Sequence, residues 1–285
     1  MASQWSYLNA PPALPGLFVH AALRRRVTGT VLPDEGLRCW VSVNRQQVEA
    51  YRKVCGFSDS SLMPPTYPHV LAFSLQMQLM TAKNFPFPLL GLIHLRNSIS
   101  VHRPLGGIGQ VRVSVHVGNL QSHAKGATFS LITQVEDALG PLWDEDSTML
   151  CRGVQLPGEP LNDFEPSPLP LSEVTRWQAP ADIGRHYAKV SGDYNPIHLS
   201  ATSAKMFGFP TAIAHGLWLK ARTLAALDNH LPASNLHISV EFQKPVRLPT
   251  EVTLSASAAG SSGQFRVTGA NPELVHMIGS WQPLV

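Results

Sequence analysis

The sequence has few cysteines and little charge. Three of its 285 residues are cysteine (Cys39, Cys55 and Cys151), and no two of them form a CxxC pair. Such sparse cysteines fit neither a disulfide framework nor a cysteine-based zinc module, and they favour a reducing compartment. Charged residues make up 14% of the chain and the formal net charge is +3. With no basic run beyond residues 24–26, the composition indicates no nucleic-acid partner.

Long hydrophobic runs are missing as well. No apolar stretch reaches the roughly 18 residues of a membrane span, so we expect none. The N-terminal sequence MASQWSYLNAPPALPGLFVHAAL has no basic start and is interrupted by three prolines, which is atypical of a signal peptide. Together with the cysteine usage, these features predict a cytoplasmic protein.

The length and hydrophobic content favour two domains. A chain of 285 residues with 44% hydrophobic residues can bury two cores. Proline-rich composition, as in LPGEPLNDFEPSPLP, cannot continue a helix or a central strand and is typical of a linker. We therefore expect a first domain at residues 1–155, a linker at 156–170 and a second domain at 171–285.

The two predicted domains repeat one sequence plan. YRKVCG (residues 51–56) corresponds to YAKVSG (187–192), and SVHRPL (100–105) corresponds to EFQKPV (241–246). Such self-similarity indicates an internal duplication. It argues against the alternative of two unrelated α+β domains.

Hydrophobic periodicity places the elements of each half. In the second half, residues 182–191 predict a short helix that ends at Gly192, and the apolar residues 214–229 predict a buried helix. Alternating residues predict strands at 236–243, 252–256, 265–268 and 276–281, and in the first half at 111–117 and 129–135. The expected fold is α+β, with an antiparallel sheet curled around a central helix in each half.

The segment VSGDYNPIH (190–198) carries the first candidate chemistry. Its Asn195-Pro196 pair is a strong turn signal, and the turn can bring Asp193 and His198 to the same side. A carboxylate beside an imidazole can share a water and act in general acid-base catalysis. The Asn195 amide can hold backbone or water in place. The alternative is an ordinary polar turn with a structural histidine.

The pair His215-Gly216, at the start of the second predicted helix, carries the next signal. Backbone N–H groups at a helix start lack intrahelical partners, and the helix dipole favours negative charge there. Because glycine has no Cβ, a substrate oxygen can approach the Gly216 N–H closely. An oxyanion site at Gly216, combined with the acid-base turn, fits addition of water to a double bond conjugated to a carbonyl.

A metal site is a weaker interpretation of these residues than an acid-base site. Zinc could be held by Asp193, His198 and His215, but the sequence has no HExxH motif and no cysteine cluster. A calcium loop is disfavoured because the repeated acidic positions and the closing glutamate are missing. We expect neither a metal nor a cofactor.

The stretch YAKVSGDYNPIH…FGFPTAIAHGL resembles the hydratase-2 motif of MaoC-like (R)-specific enoyl-CoA hydratases and 3-hydroxyacyl thioester dehydratases. FQKPVRLPTEV (242–252) is similar to the strand that follows the central helix in that family. The resemblance implies a double hot-dog fold and reversible hydration of trans-2-enoyl thioesters of CoA or acyl carrier protein. It also implies that Asp193 and His198 are catalytic and that the Gly216 N–H binds the oxyanion.

The remaining expectations concern binding and assembly. We expect Asn195, Tyr187, His215 and Lys244 to bind substrate, with Lys244 near the phosphates of the carrier, and we expect a homodimer. Two alternatives stay open. The chain could be an acyl-CoA thioesterase on the same fold, or a non-catalytic acyl-binding subunit.

The first half departs from the motif. Phe57 stands where the repeat aligns Asp193, Leu62 stands where it aligns His198, and PHV (68–70) replaces AHG. Without the acid, the base and the glycine, this half is predicted to be inactive and to accept the acyl tail in its groove. His69 is expected to be structural.

Overall fold

The computed structural model describes residue 2, residues 4–162 and residues 169–284. Part of the predicted linker, residues 163–168, therefore lies outside the described residues. The chain divides into two compact units. Unit 1 comprises the described residues of 1–43, 68–97 and 108–163, and unit 2 those of 44–67, 98–107 and 164–285. The domain boundaries given above stay a prediction.

The elements of the first half are β1 (Gln4–Leu8), α1 (Leu14–Leu23), β2 (Glu35–Ser42), α2 (Arg45–Cys55), α3 (Tyr67–Thr81), β3 (Ile93–Val101), β4 (Gln110–His123), β5 (Gly126–Asp137) and β6 (Gly140–Arg152). Those of the second half are β7 (Ser172–Ala179), α4 (Ile183–Ser191), a 3-10 turn (Pro196–His198), α5 (Ala201–Lys205), α6 (Gly216–Ala226), β8 (Leu236–Phe242), β9 (Thr250–Ala256), β10 (Gly263–Gly269) and β11 (Val275–Pro283). From β2 and from β7 onward, the two halves share one order of strand, two helices and four strands; the first half adds β1 and α1 in front, and the second half adds a 3-10 turn and the short helix α5 between the two helices.

Unit 1 contains a sheet with the strand order β1-β2-β4-β5-β6. Strand β1 runs parallel to β2, and the other neighbours are antiparallel. The predicted alternation in β4 is only partly confirmed, because Ser114 and His116 are buried together with the valines. Arg38 Nε donates to Ser114 Oγ at 3.2 Å, and the Trp5 ring lies 5.7 Å from His116. Arg38 and Trp5 thus cover the face of β4 that the alternating sequence pattern predicts to be exposed to solvent.

A buried polar cluster joins α3 to the sheet of unit 1. The Glu145 side chain is fully buried, and its carboxylate lies 2.8 Å from His69 Nδ1. Asn97 Nδ2 donates to the same carboxylate at 2.7 Å and Gln76 Nε2 at 3.2 Å. Burial alone would raise the pKa of Glu145, but the charge and hydrogen bond of His69 and the hydrogen bond of Asn97 hold it below its usual value. The hydrogen bond of His69 in this network is consistent with the structural role expected for it.

We expect Glu145→Gln to cost about 3–5 kcal/mol of unfolding free energy at neutral pH, because it breaks a pair whose carboxylate is fully buried and leaves the half-buried His69 without its charge partner. The native pKa of Glu145 lies below the unfolded value of about 4.3. The ionised carboxylate therefore stabilises the fold above that pH, and the stabilisation is lost as the pH falls through the native pKa. Urea unfolding at a series of pH values should show the difference from the wild type shrinking in acid.

Glu136→Gln is the matched control for this test. Glu136 pairs with Arg112, and their side chains are 28% and 37% exposed, respectively. Removing such a surface pair should cost no more than about 1 kcal/mol. Equal effects of the two substitutions would contradict the assignment of Glu145 as a buried anion.

Unit 2 contains the antiparallel sheet β8-β11-β10-β9-β7 together with helices α2, α4, α5 and α6. The four strands predicted in this half are confirmed. Helices α2 and α4 end alike, on Gly56 with φ 74° and Gly192 with φ 81°. The left-handed conformation explains glycine at both places. The matching ends agree with the duplication seen in the sequence.

Helix α6 begins later than predicted, at Gly216 rather than at residue 214. The preceding backbone is extended because it bonds to other segments: Ala214 N–H donates to Val246 O at 2.9 Å and Ile213 N–H to Ile197 O at 3.1 Å. The helix is buried against β8, where Lys220 Nζ donates to Ile238 O at 3.4 Å. No helix in the described part of the chain is long and apolar enough to cross a membrane.

Candidate active site

The carboxylate of Asp193 is fixed by the end of α4. Ser191 Oγ donates to Tyr187 O at 2.8 Å and accepts from the Asp193 N–H at 3.2 Å. Asn195 N–H in turn donates to Asp193 Oδ1 at 3.1 Å, a turn that aspartate commonly forms. The bond holds one carboxylate oxygen and leaves the other, Oδ2, for further partners.

His198 ends the 3-10 turn that the sequence placed at Asn195-Pro196. The Asn195 side chain caps this turn by accepting from the Ile197 N–H at 3.4 Å. His198 Nδ1 lies 2.7 Å from the carbonyl oxygen of Ile213. A carbonyl oxygen only accepts, so Nδ1 carries the proton, and Nε2 of the neutral ring has a free lone pair.

The environment of His198 keeps its imidazole neutral at pH 7. The residue is 8% exposed. Burial lowers the pKa of His198, while the nearby Asp193 charge and the hydrogen bond to Ile213 raise it by less. A neutral imidazole with a free Nε2 is a competent proton acceptor.

His215 lies directly against His198. The two rings stack with centroids 3.7 Å apart and planes 28° apart. His215 Nε2 lies 3.0 Å from the Asp193 carbonyl oxygen and 3.7 Å from Asp193 Oδ2. The side chain brings together the acid-bearing turn and the start of α6, which are 22 residues apart in the chain.

The three polar side chains Asp193, His198 and His215 each offer one atom to a cluster in which all atoms lie within 4.8 Å of one another. Two groups at such a separation, such as the Asp193 carboxylate and the His198 imidazole, can share one water, since each hydrogen bond to it spans about 2.8 Å. Zinc fits less well, because each imidazole binds a metal in its own ring plane at about 2.0–2.1 Å. The two rings are stacked with planes 28° apart, an arrangement unlike that of two imidazoles pointing at one metal from different sides.

Gly216 is the first residue of α6 and is half-buried between buried neighbours on both sides. At this position its N–H has no intrahelical acceptor, and no described residue outside the helix accepts from it either. A Cβ at Gly216 would come within 3.1 Å of the Phe242 ring. Glycine therefore lets the Phe242 ring pack closely at the start of α6, where the positive end of the helix carries an amide with no acceptor among the described residues.

The other residues predicted to bind substrate are placed differently. Asn195 caps the 3-10 turn with its side-chain oxygen. Tyr187 is 2% exposed, and its ring centroid lies 4.9 Å from that of His215. Lys244 is exposed after β8, where its backbone pairs with Val275 and His276. The structure thus brings together Asp193, His198 and His215, with Gly216 next to His215 in the chain and the Tyr187 ring near that of His215.

Sequence reasoning missed Gly184, in the first turn of α4. A Cβ on Gly184 would lie 1.9 Å from the His198 carbonyl oxygen, so only glycine allows α4 to approach the 3-10 turn. Glycine costs about 1 kcal/mol in a helix relative to alanine, which makes it an anomaly that needs a packing reason. That anomaly is the signal that could have pointed to this residue.

Comparison with known proteins shows which family the chain belongs to. Residues 158–274 match the MaoC like domain. The chain is 38% identical over 223 residues to 3-hydroxyacyl-thioester dehydratase X of Mycobacterium tuberculosis (strain ATCC 25618 / H37Rv), which covers 78% of this chain and 79% of the relative. The crystal structure of HtdX of M. tuberculosis superimposes with a TM-score of 0.76 at 30% identity, covering 87% of this chain and 100% of the other.

A further solved structure identifies the fold. A second M. tuberculosis protein, described as having a double hot-dog fold, matches with a TM-score of 0.52 at 11% identity and covers 92% of this chain and 96% of its own. The fold is therefore the predicted double hot-dog. By its similarity to the M. tuberculosis dehydratase over most of both chains, the chain belongs to the MaoC-like dehydratase family.

Proposed function

We propose that this protein catalyses the reversible hydration of trans-2-enoyl thioesters to (R)-3-hydroxyacyl thioesters. The observation that carries the proposal is one arrangement in unit 2. The Asp193 carboxylate and the His198 imidazole each offer an atom within 4.8 Å of the other, and the amide of Gly216, at the start of a buried helix, has no acceptor among the described residues. The name of the M. tuberculosis relative supports this reaction class.

In the proposed reaction, the thioester carbonyl accepts a hydrogen bond from the Gly216 N–H. The carbonyl oxygen gains negative charge as water adds, and the amide and the helix dipole stabilise that charge. Loss of one such donor typically costs about 2.7–4 kcal/mol of transition-state stabilisation. The polarised double bond becomes electrophilic at C3.

Asp193 Oδ2 and His198 Nε2 hold one water on the same side of the substrate. As its oxygen bonds to C3, the water gives up a proton to this pair, and a proton returns to C2 on the same face. Dehydration is the reverse. The two groups act on the same water and therefore work as one unit.

The proposal also covers the substrate's carrier and acyl tail and the assembly of the protein. The carrier is CoA or acyl carrier protein, Lys244 meets the carrier phosphates, and the groove of the first half takes the acyl tail. Phe57 and Leu62 occupy the positions of the acid and the base there, which supports one active site per chain. We propose a cytoplasmic homodimer.

The test uses crotonyl-, decenoyl- and hexadecenoyl-CoA and the matching acyl carrier protein thioesters. We expect the ultraviolet absorbance of the conjugated thioester to fall without release of free thiol, because hydration removes the double bond and leaves the thioester intact. Thiol release would identify a thioesterase instead. Binding of the thioesters with no change in absorbance would identify a non-catalytic acyl-binding subunit.

A further inference from the structure

His215 is almost completely buried. Its side chain is 3% exposed. The His198 ring stacks on it at 3.7 Å, and the Tyr187 ring lies 4.9 Å away. With two rings close by and 3% exposure, the His215 ring has little surface to offer a ligand.

The proton on His215 can be placed from its contacts. Nε2 lies 3.0 Å from the Asp193 carbonyl oxygen, which can only accept, so Nε2 carries the hydrogen. Nδ1 is buried, and no described residue hydrogen-bonds to it. An unsatisfied buried acceptor costs about 1–3 kcal/mol, so its presence indicates a constraint on where the ring must lie.

A second proton on His215 would be strongly disfavoured. It would reside on Nδ1, which is buried and finds no acceptor among the described residues. The groups facing the ring are His198, Tyr187 and the Asp193 carboxylate at 3.7 Å. Burial and the neighbouring His198 lower the pKa of His215 to about 3, against a smaller opposite effect of Asp193.

We propose that His215 is a positioning residue, a permanently neutral imidazole that clamps the Asp193 turn with its Nε2–H and supports the His198 ring by stacking. This inference rests on the proposed function. It assigns His215 no contact with substrate, in place of the substrate-binding role expected from the sequence. Because His215 immediately precedes Gly216, the same residue ties the acid-base turn to the amide that binds the oxyanion.

The neutral state also matters for His198. A charged His215 stacked at 3.7 Å would repel a proton arriving on His198 and would attract Asp193 Oδ2 away from the shared water. A neutral His215 avoids both effects while still donating one hydrogen bond. The clamp therefore fixes geometry without competing for the reacting proton.

The first test is nuclear magnetic resonance of the wild-type protein with 15N-labelled histidine, and the His215→Gln spectrum assigns the His215 signals. We expect the neutral Nε2–H tautomer of His215 across the range from about pH 5 to 9, well above the pKa of about 3. A cationic ring or the Nδ1–H tautomer within that range overturns the proposal. The result does not depend on turnover, so it stands apart from a failure of the proposed function, which would appear as absent hydration by the wild type.

The second test uses enzyme kinetics to separate the two contributions of His215, its Nε2–H hydrogen bond to the Asp193 turn and its stacking on the His198 ring. His215→Phe keeps an aromatic ring but loses the donor, whereas His215→Gln keeps a donor at nearly the same reach. We expect kcat to fall about 10²-fold in the phenylalanine variant, as for a small misplacement of reacting groups, and the glutamine variant to recover part of it. KM should stay within about threefold, because no ground-state contact is lost.

The exposed His186, which takes no part in the site, provides the control as His186→Gln, with kcat and KM expected to be unchanged. A phenylalanine variant with full kcat overturns the clamp. A rise in KM at unchanged kcat also overturns it, since that result means a direct contact with substrate. If the variants do not fold, the resonance measurement on the wild type still decides the question.

Discussion

Asp193→Asn and His198→Ala should each lower turnover by about 10²–10⁴-fold, the range typical of general acid-base catalysis. The asparagine keeps the shape of Asp193 but cannot take up a proton, and the alanine removes the only imidazole whose Nε2 lone pair is free in the cluster. Steady-state hydration of the best enoyl thioester measures the effect. The double variant should be hardly slower than the worse single variant, because the two groups act on one water.

Two exposed residues of the same unit provide controls for this prediction. Asp182 and His186 have side chains that are 44% and 51% exposed, and Asp182 forms no side-chain cap with α4. Asp182→Asn and His186→Ala should keep the wild-type rate. Wild-type turnover in Asp193→Asn and in His198→Ala would refute the assignment of both catalytic groups.

Gly184→Ala should also inactivate the protein, although Gly184 touches no substrate. The new methyl group would lie 1.9 Å from the His198 carbonyl oxygen, so the 3-10 turn and α4 must move apart by more than 1 Å. Such overpacking typically costs about 1–3 kcal/mol of stability. A displacement of reacting groups by about 1 Å can reduce the rate 10²-fold, so kcat should fall by at least about that factor.

The control for Gly184→Ala is Gly260→Ala in the same unit. A Cβ at Gly260 meets only Ser262 O, at an ordinary 3.7 Å, so this change should alter neither kcat nor thermal stability. Circular dichroism shows whether the Gly184 variant keeps its fold while it loses activity. Wild-type kcat in Gly184→Ala would mean that the position of the His198 backbone does not limit the reaction.

Local signals in the sequence predicted part of the fold. Helix α4 and its glycine end follow from a short amphipathic stretch before Gly192, and the strands of unit 2 follow from alternating residues. The start of α6 could not be predicted, because the extended backbone at Ala214 depends on a bond to Val246, 32 positions away in the chain. The burial of His116 likewise depends on Trp5, from a strand with no clear pattern.

The residues of the candidate site likewise fall into those that local sequence signals predict and those whose roles depend on contacts between distant segments. Asp193, His198 and Gly216 could be predicted as site candidates from the sequence, because turns and helix starts have characteristic residues. The stacking of His215 on His198 is set by contacts between segments, which no spacing encodes. The role of Gly184 also depends on such a contact, with the carbonyl of His198.

The stereochemistry of hydration in deuterium oxide tests the central claim most directly. If one water held by Asp193 and His198 supplies both the oxygen at C3 and the hydrogen at C2, product from a trans-2-enoyl thioester should carry one deuterium at C2. That deuterium and the new hydroxyl should be added to the same face, with the (R) configuration at C3. Addition to opposite faces, or an unchanged substrate with every thioester tried, would contradict the account.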